Sequence, residues 1–447
     1  MKTVYEKARH TPVLAETEVL VIGGGPAGIA AALAAARAGA DTMLVERNGF
    51  FGGNISQAMV ESLVWYRHAH TVEAGGIGCE LEAAAVNFGG TVPDPESTGN
   101  LLDAEMFKCV ADYLVTEAGV RPLFHTLVVD TLTENGTLKG VITESKSGRQ
   151  AILARAVIDA SGDADVAALA QVPFAMEEED RRMALTVGFS LSGVDAERFR
   201  EHVRTSPAVI GDWAGDISEK ESGIFTTYFK GVFDRARAEG VIPADVPIDG
   251  YWDAITDEGE ARGLNVVHLF GYDPTNVEDL SRAEIEGRKQ VRWAIKALRH
   301  YHPGMEKAKL RSFGSSVGVR ESRKIEGRYQ LTEEDVRNEG RYRDSIGIFP
   351  EFLDAYGTVL IPTTGRYFQV PYGIMVPQKI DNLLAAGRSV SADRIAFSAT
   401  RQMMCCAVTG QGAGAAAACS VADGSTTATV NMSRVQRELR RQGVRIA

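Results

Sequence analysis

The stretch VLVIGGGPAGIA, Val19–Ala30, sets a glycine-rich loop between an apolar β-branched run and an alanine-rich run. That order predicts a strand, a tight turn and a helix. Pro26 falls in the first helical turn, where a missing N–H costs nothing, and Gly39 stands where the helix should end. DTMLVE, residues 41–46, is a second strand, so a β-α-β unit closes within about 30 residues. Gly23, Gly25 and Gly28 occupy the three glycine positions of a dinucleotide-binding loop. Gly23 allows the turn, Gly25 lets the backbone approach a pyrophosphate, and Gly28 lets helix pack on strand. The helix start, with Pro26 and Ala27, offers unpaired N–H groups and a partial positive charge to phosphates. Glu46, followed by Arg47, ends the second strand, where a carboxylate accepts hydrogen bonds from a ribose and repels a 2′-phosphate. The loop alone fits either a nicotinamide or a flavin dinucleotide.

Working outward, 447 residues with 45% hydrophobic and 24% charged side chains exceed what one core holds, so two domains are expected. A net charge of −11 argues against nucleic acid or an anionic membrane as partner. The polar N-terminus has no signal-peptide core, and no apolar run of about 18 residues predicts a membrane span. Five cysteines without a C-x-x-C pair fit a reducing cytoplasm and supply no metal site. The expected partner is a small-molecule substrate; assembly into a homo-oligomer and the electron acceptor are left open.

Beyond the first unit, RNGFFGGN, residues 47–54, is a second glycine loop. Residues 101–118 have helical periodicity, and three β-rich runs between 122 and 160 predict antiparallel hairpins. VIDASGDADVAALA, residues 157–170, is again strand, glycine turn and helix. Composition shifts near Met183, where MALTVGFSLSGVD opens a new region as a strand. A helix is expected near 280–300, and DNLLAAG, residues 381–387, returns to the style of the first domain.

These later segments carry a resemblance. VIDASGDADVAALA is similar to an "IDATGDGDVA" turn, and GVRESRKIEGRYQLTEEDV to a "G-x-R-E-x-R-x-I-x-G-x-Y-x-L-T" signature. DNLLAAGRSVSADRIAFSATRQMMCCAVTGQGAGAAAA resembles a C-terminal flavin segment. All three resemble the FAD-dependent oxidoreductase family, which has the glutathione-reductase type of FAD domain and is related at a distance to fumarate reductase flavoproteins and thiazole synthases. The resemblance covers most of the chain and implies FAD. It implies an α/β fold: a Rossmann-like FAD-binding domain with an inserted β-meander, plus an α+β substrate domain with a mainly antiparallel sheet. The expected boundaries are 1–182 for the first part of the FAD domain, 183–345 for the substrate domain, 346–430 for the C-terminal part of the FAD domain and 431–447 for a tail helix.

The resemblance also implies FAD contacts at Gly52 and Gly53, at the backbone of Val128, at the turn Ser161, Gly162 and Asp163, at Gly387 and Arg388, and at Asp393. Gly410, Gln411 and Gly414 lie on a predicted helix, where small residues serve either the cofactor or helix packing. His68 and His70 follow the second glycine loop and have the intrinsic pKa of a general base; a purely structural role fits them equally. Arg320 and Arg323 sit among Glu321, Lys324 and Glu326, a pattern that serves either a substrate carboxylate or an ion-pair network. The family often has an arginine after its "PY", where this chain has Gly373, which weakens any anion site there. The expected reaction is hydride transfer from a small polar substrate to FAD. The alternatives are a flavin reductase or monooxygenase fed by NAD(P)H, and an FAD-bearing electron-transfer subunit.

Overall fold

The computed structural model describes residues 2–63, 71–93, 99–205, 229–355, 358–360 and 365–447. The opening motif forms strand β1 (Val13–Ile22) and helix α1 (Pro26–Arg37), followed by β2 (Thr42–Val45). The helix begins with Pro26 at its first position and ends before Gly39, whose φ of +93° is the left-handed conformation glycine allows. Three further strands follow: β3 (Arg121–Leu123), β4 (Leu127–Glu134) and β5 (Thr137–Ser145). The long β6 (Gly148–Asp159) completes this set.

β3, β2, β1 and β6 lie side by side in parallel, and the late strand Leu383–Ala385 joins the C-terminal half of β6. The N-terminal half of β6 pairs antiparallel with β5, and β5 with β4. One strand thus belongs both to the parallel sheet and to the meander. Alternate residues of β1 feed opposite cores: Val19 and Val21 face one side, Leu20 and Ile22 the other. Two covered faces explain why this strand reads as an unbroken apolar run.

The first face is covered by α1 and by a second helix, Met403–Asp423, whose residues from Met404 to Val421 are all buried. That helix is long and apolar enough to cross a bilayer, yet it packs inside the protein. A Cβ at Gly410 would collide with the carbonyl of Ala27, and one at Gly414 with that of Ala31, so the two helices touch backbone to backbone. Ser345–Pro350 pairs with Tyr367–Pro371, and both strands bury side chains in the same core. A last helix, Met432–Arg441, lies near the C-terminus.

The second half is built on an antiparallel sheet around strand β11 (Glu260–Leu269), flanked by β7 (Leu185–Thr186), β8 (Phe189–Ser192), β9 (Ile248–Tyr251) and β10 (Ala254–Ile255). β12 (Lys309–Phe313) completes it beside β8. The single strand expected from MALTVGFSLSGVD is split into β7 and β8. A helix of 25 residues, Val277–Tyr301, capped by the Asn276 side chain, packs on this sheet over a separate core.

Candidate active site

The cofactor cleft opens at the C-terminal ends of β1 and β2, where open parallel sheets place their ligands. Gly23 turns the chain at φ +99° and donates its N–H to Val45 O at 2.8 Å. A Cβ on Gly28 would overlap the Gly23 carbonyl, so helix and turn touch directly. The second glycine loop locks onto the first through Gly52 N–H to Gly24 O, 2.8 Å, and a Cβ on Gly53 would lie 2.8 Å from Gly25 Cα. Glu46 is buried at the cleft wall. Its Oε2 accepts from Gly24 N at 2.7 Å, and its Oε1 from Asn48 N at 2.8 Å and Asn48 Nδ2 at 2.9 Å.

On the far side the turn after β6 is held from below. Asp159, fully buried, accepts from Ser161 Oγ at 2.6 Å and from Ala167 N at 2.9 Å. Burial pushes its carboxyl above the usual range. Asp163 Oδ1 accepts from Ser322 Oγ at 2.7 Å and from Arg388 Nη2 at 3.1 Å. Ser389 Oγ accepts from Ala164 N at 3.0 Å, tying the Gly387 turn to the same place.

Of the residues expected at the cofactor, Gly23, Gly25, Pro26, Ala27, Glu46, Arg47, Gly53, Val128, Ser161, Gly162, Asp163, Gly387 and Arg388 line this cleft. Six do not. Gly28 and Gly52 shape its backbone from behind. Gly410 and Gly414 serve the helix contact described above. Gln411 instead accepts from Ile77 N through Oε1 at 2.8 Å. Asp393 caps the turn after it, accepting from Ile395 N and Ala396 N, and also accepts from Glu333 N at 2.7 Å. Cys406 also lines the cleft; burial pushes its thiol up to about 12, and the neighbouring Cys405 is also a free, buried thiol.

A second cavity, of about 410 Å³, shares Asn54, Val319, Arg388, Arg401 and Met403 with the cofactor cleft. Arg320 lies in its wall, donating Nη1 to Ala184 O at 3.1 Å and Nη2 to Asn265 Oδ1 at 3.2 Å. Asn265 Nδ2 donates to the Tyr251 hydroxyl at 3.2 Å, and Thr186 Oγ1 donates to Asn265 Oδ1 at 2.5 Å. His268 lines the same cavity; burial, and then the Arg320 charge, push its imidazole down to about 3, which keeps it neutral. Burial, and then Asp253, raise the Tyr251 phenol, which stays protonated.

Tyr251, Asn265 and His268 escaped the sequence reading. Thr186 pairs with His268 while Phe189 pairs with Leu264, so β11 carries one extra residue between the two pairs. This bulge brings Asn265 and His268, an odd spacing apart, to one cavity wall. No simple periodicity marks them.

Arg323, expected at the substrate, turns the other way. Its Nε donates to Asp163 O at 2.7 Å and its Nη2 to Asp165 Oδ1 at 2.5 Å, beneath the cofactor cleft. Burial, and then Asp163 and Asp159, raise the Asp165 carboxyl to about 6 against the pull of Arg323 and Arg47. In the same segment, Lys324 and Glu321 form a buried pair at 3.0 Å. One signature therefore supplies a cavity arginine, a core ion pair and a support for the cofactor turn. Gly373 donates its N–H to Asp344 Oδ2 at 3.0 Å, a structural contact. His68 and His70 lie outside the described residues.

The cleft fits FAD. Gly23, Gly28 and Gly53 leave no room for a Cβ, Glu46 faces it, and Arg388 Nη1 is a buried donor with no acceptor among the described residues. Comparison with known proteins agrees. The curated relatives include digeranylgeranylglycerophospholipid reductase 1 of Methanopyrus kandleri, 30% identical over 155 residues, 33% of this chain and 40% of that protein. They also include an NADH oxidase of Thermoanaerobacter brockii, 28% identical over 125 residues, 27% of this chain and 17% of that protein. The match thus spans less than half the length of either relative. Among solved structures, a geranylgeranyl bacteriochlorophyll reductase-like protein of Thermoplasma acidophilum aligns with TM-score 0.46 and 13% identity, over 96% of this chain and 82% of that one. The profile of the family described as FAD dependent oxidoreductase matches residues 18–439, nearly the whole chain, and the protein is a member of that family, an FAD-dependent oxidoreductase.

Proposed function

We propose that the protein acts as a dehydrogenase or oxidase, taking a hydride from a small polar substrate held in the arginine-walled cavity. The observation that carries this reading is the wall common to that cavity and the cofactor cleft, formed by Asn54, Val319, Arg388, Arg401 and Met403. When bound, FAD supplies the hydride acceptor and holds the electron pair. Arg320, braced by Ala184 and Asn265, orients the substrate. Val60, Met183 and Phe270 cover its apolar part and exclude water. His268, neutral and on the cavity wall, offers a ring nitrogen as a hydrogen-bond partner to the substrate O–H or N–H and helps to orient it. The interlocked glycine loops also support kinship with flavoproteins that have a glutathione-reductase type of FAD domain.

The digeranylgeranylglycerophospholipid reductase named above acts, by name, on an isoprenoid lipid. A cavity with six arginines, Arg181, Arg182, Arg320, Arg388, Arg394 and Arg401, is poorly matched to such a chain. The NADH oxidase likeness instead favours electrons entering from a nicotinamide. The anaerobic visible spectrum separates the two. We expect the flavin band to be unchanged by excess NADH or NADPH and to bleach with a member of a panel of hydroxy acids, amines and alcohols. Rapid bleaching by a nicotinamide would replace this reading with a reductase or monooxygenase.

A further inference from the structure

We infer that the cavity beside the cofactor cleft takes a small organic carboxylate, held by the guanidinium of Arg320 with Arg394 and Arg401 beside it. The inference rests on the proposed substrate role of this cavity and names the substrate class.

The charge of the wall is the first argument. Among the described residues six arginines line it against two aspartates, Asp180 and Asp354, with neither lysine nor glutamate. The chain as a whole carries −11, so the cavity inverts the protein's own sign. Asp354 is already engaged by Arg401 Nη2 at 2.6 Å. His268 and Tyr251 add polar contacts without negative charge. An anion entering the cavity meets a net positive wall.

Geometry is the second argument. Among the described residues Ala184 O and Asn265 Oδ1 accept from Arg320, which sets the plane of the guanidinium. A planar fork held in this way matches the two oxygens of a carboxylate. At the junction with the cofactor cleft, Arg401 Nε is buried and has no acceptor among the described residues. A buried donor left this way is served by a ligand or by an ordered water. The lining also holds apolar side chains, Val60, Met183, Phe270 and Val319. Arginines and apolar side chains in one lining suit an acid with a hydrocarbon body better than inorganic phosphate.

The test is calorimetric titration of the FAD-loaded protein with glutarate and with benzoate, with their methyl esters and inorganic phosphate as controls, while the flavin absorbance is followed. The expected result is binding of at least one carboxylate, none of its ester, and a flavin band shifted by the bound acid. Arg320→Met should weaken that binding about 30-fold with FAD content unchanged. Should Arg320→Met fail to fold, Arg394→Gln should weaken it in the same direction. Ester binding as tight as acid binding, phosphate binding without carboxylate binding, no binding of either acid, or variants without effect would each overturn the inference. Carboxylate binding that depends on Arg320 but leaves the flavin band unmoved would uphold the anion site and sink the proposed substrate role instead.

Discussion

The cofactor cleft and the arginine-walled cavity adjoin, but they are made from different materials. The cleft is made of backbone: Gly23, Gly25 and Gly53 bring main chain against main chain, and side chains such as Glu46 and Asp163 brace the turns. The cavity is made of side chains: Arg320, Asn265, Tyr251 and Thr186 hold one another across three strands and a loop. Phosphates are recognised by N–H groups that every residue but proline has, so the demand on sequence is chiefly that side chains be absent. A substrate is recognised by particular functional groups, and these come from wherever the fold brings them. The first kind of site tolerates no added atom; the second tolerates repacking and fails by losing partners.

The largest effect should come from Gly28→Val. Its branched side chain would drive the first turn of α1 away from the Gly23 carbonyl. The purified variant should have lost the flavin band, read as the ratio of visible to ultraviolet absorbance. A fully loaded variant would mean that the cleft adapts as the cavity does, and the contrast would fail.

A middle effect is expected from Asn265→Ala, which removes partners of Arg320, Thr186 and Tyr251 at once. Stability should fall by about 1–3 kcal/mol in thermal unfolding, with FAD content unchanged. Loss of FAD from this variant would show that the two sites form one unit.

The smallest effect concerns pH. The Asp165 carboxyl stands at about 6, above its ordinary value of 3.8. The folded chain therefore holds that proton more tightly than the unfolded chain. The contribution of this group to stability is greatest below about pH 4, declines as pH rises through 6, and is constant above. Asp165 is partly exposed, which limits the size of the effect. Asp165→Asn should flatten the dependence of the unfolding midpoint between pH 4 and 6. An unchanged profile would place the titration elsewhere in the cleft.

The glycine spacing, Glu46 at the end of β2 and the apolar runs on either side were enough to determine the β-α-β unit and a dinucleotide site, while the later segments implied the flavin. The unit closes between residues close in the chain, so its physics is local, whereas β6 and the late strand Leu383–Ala385 reach the parallel sheet from distant segments. The long C-terminal segment likewise announced a buried helix, but its Gly410 and Gly414 could serve a cofactor or a neighbouring helix. Only the packing against Ala27 and Ala31 decided for the helix. The two arginines of the GVRESRKIEGRY signature looked equivalent in sequence; the tertiary structure sends Arg320 to the cavity and Arg323 to Asp165. Asn265 and His268 share a wall because β11 takes in one extra residue against β7 and β8. That bulge is a property of strand pairing between distant segments, and a one-residue shift in register reverses which side chains face inward. Local chemistry determined what the protein binds first, and the register of distant strands decided what it can hold beside it.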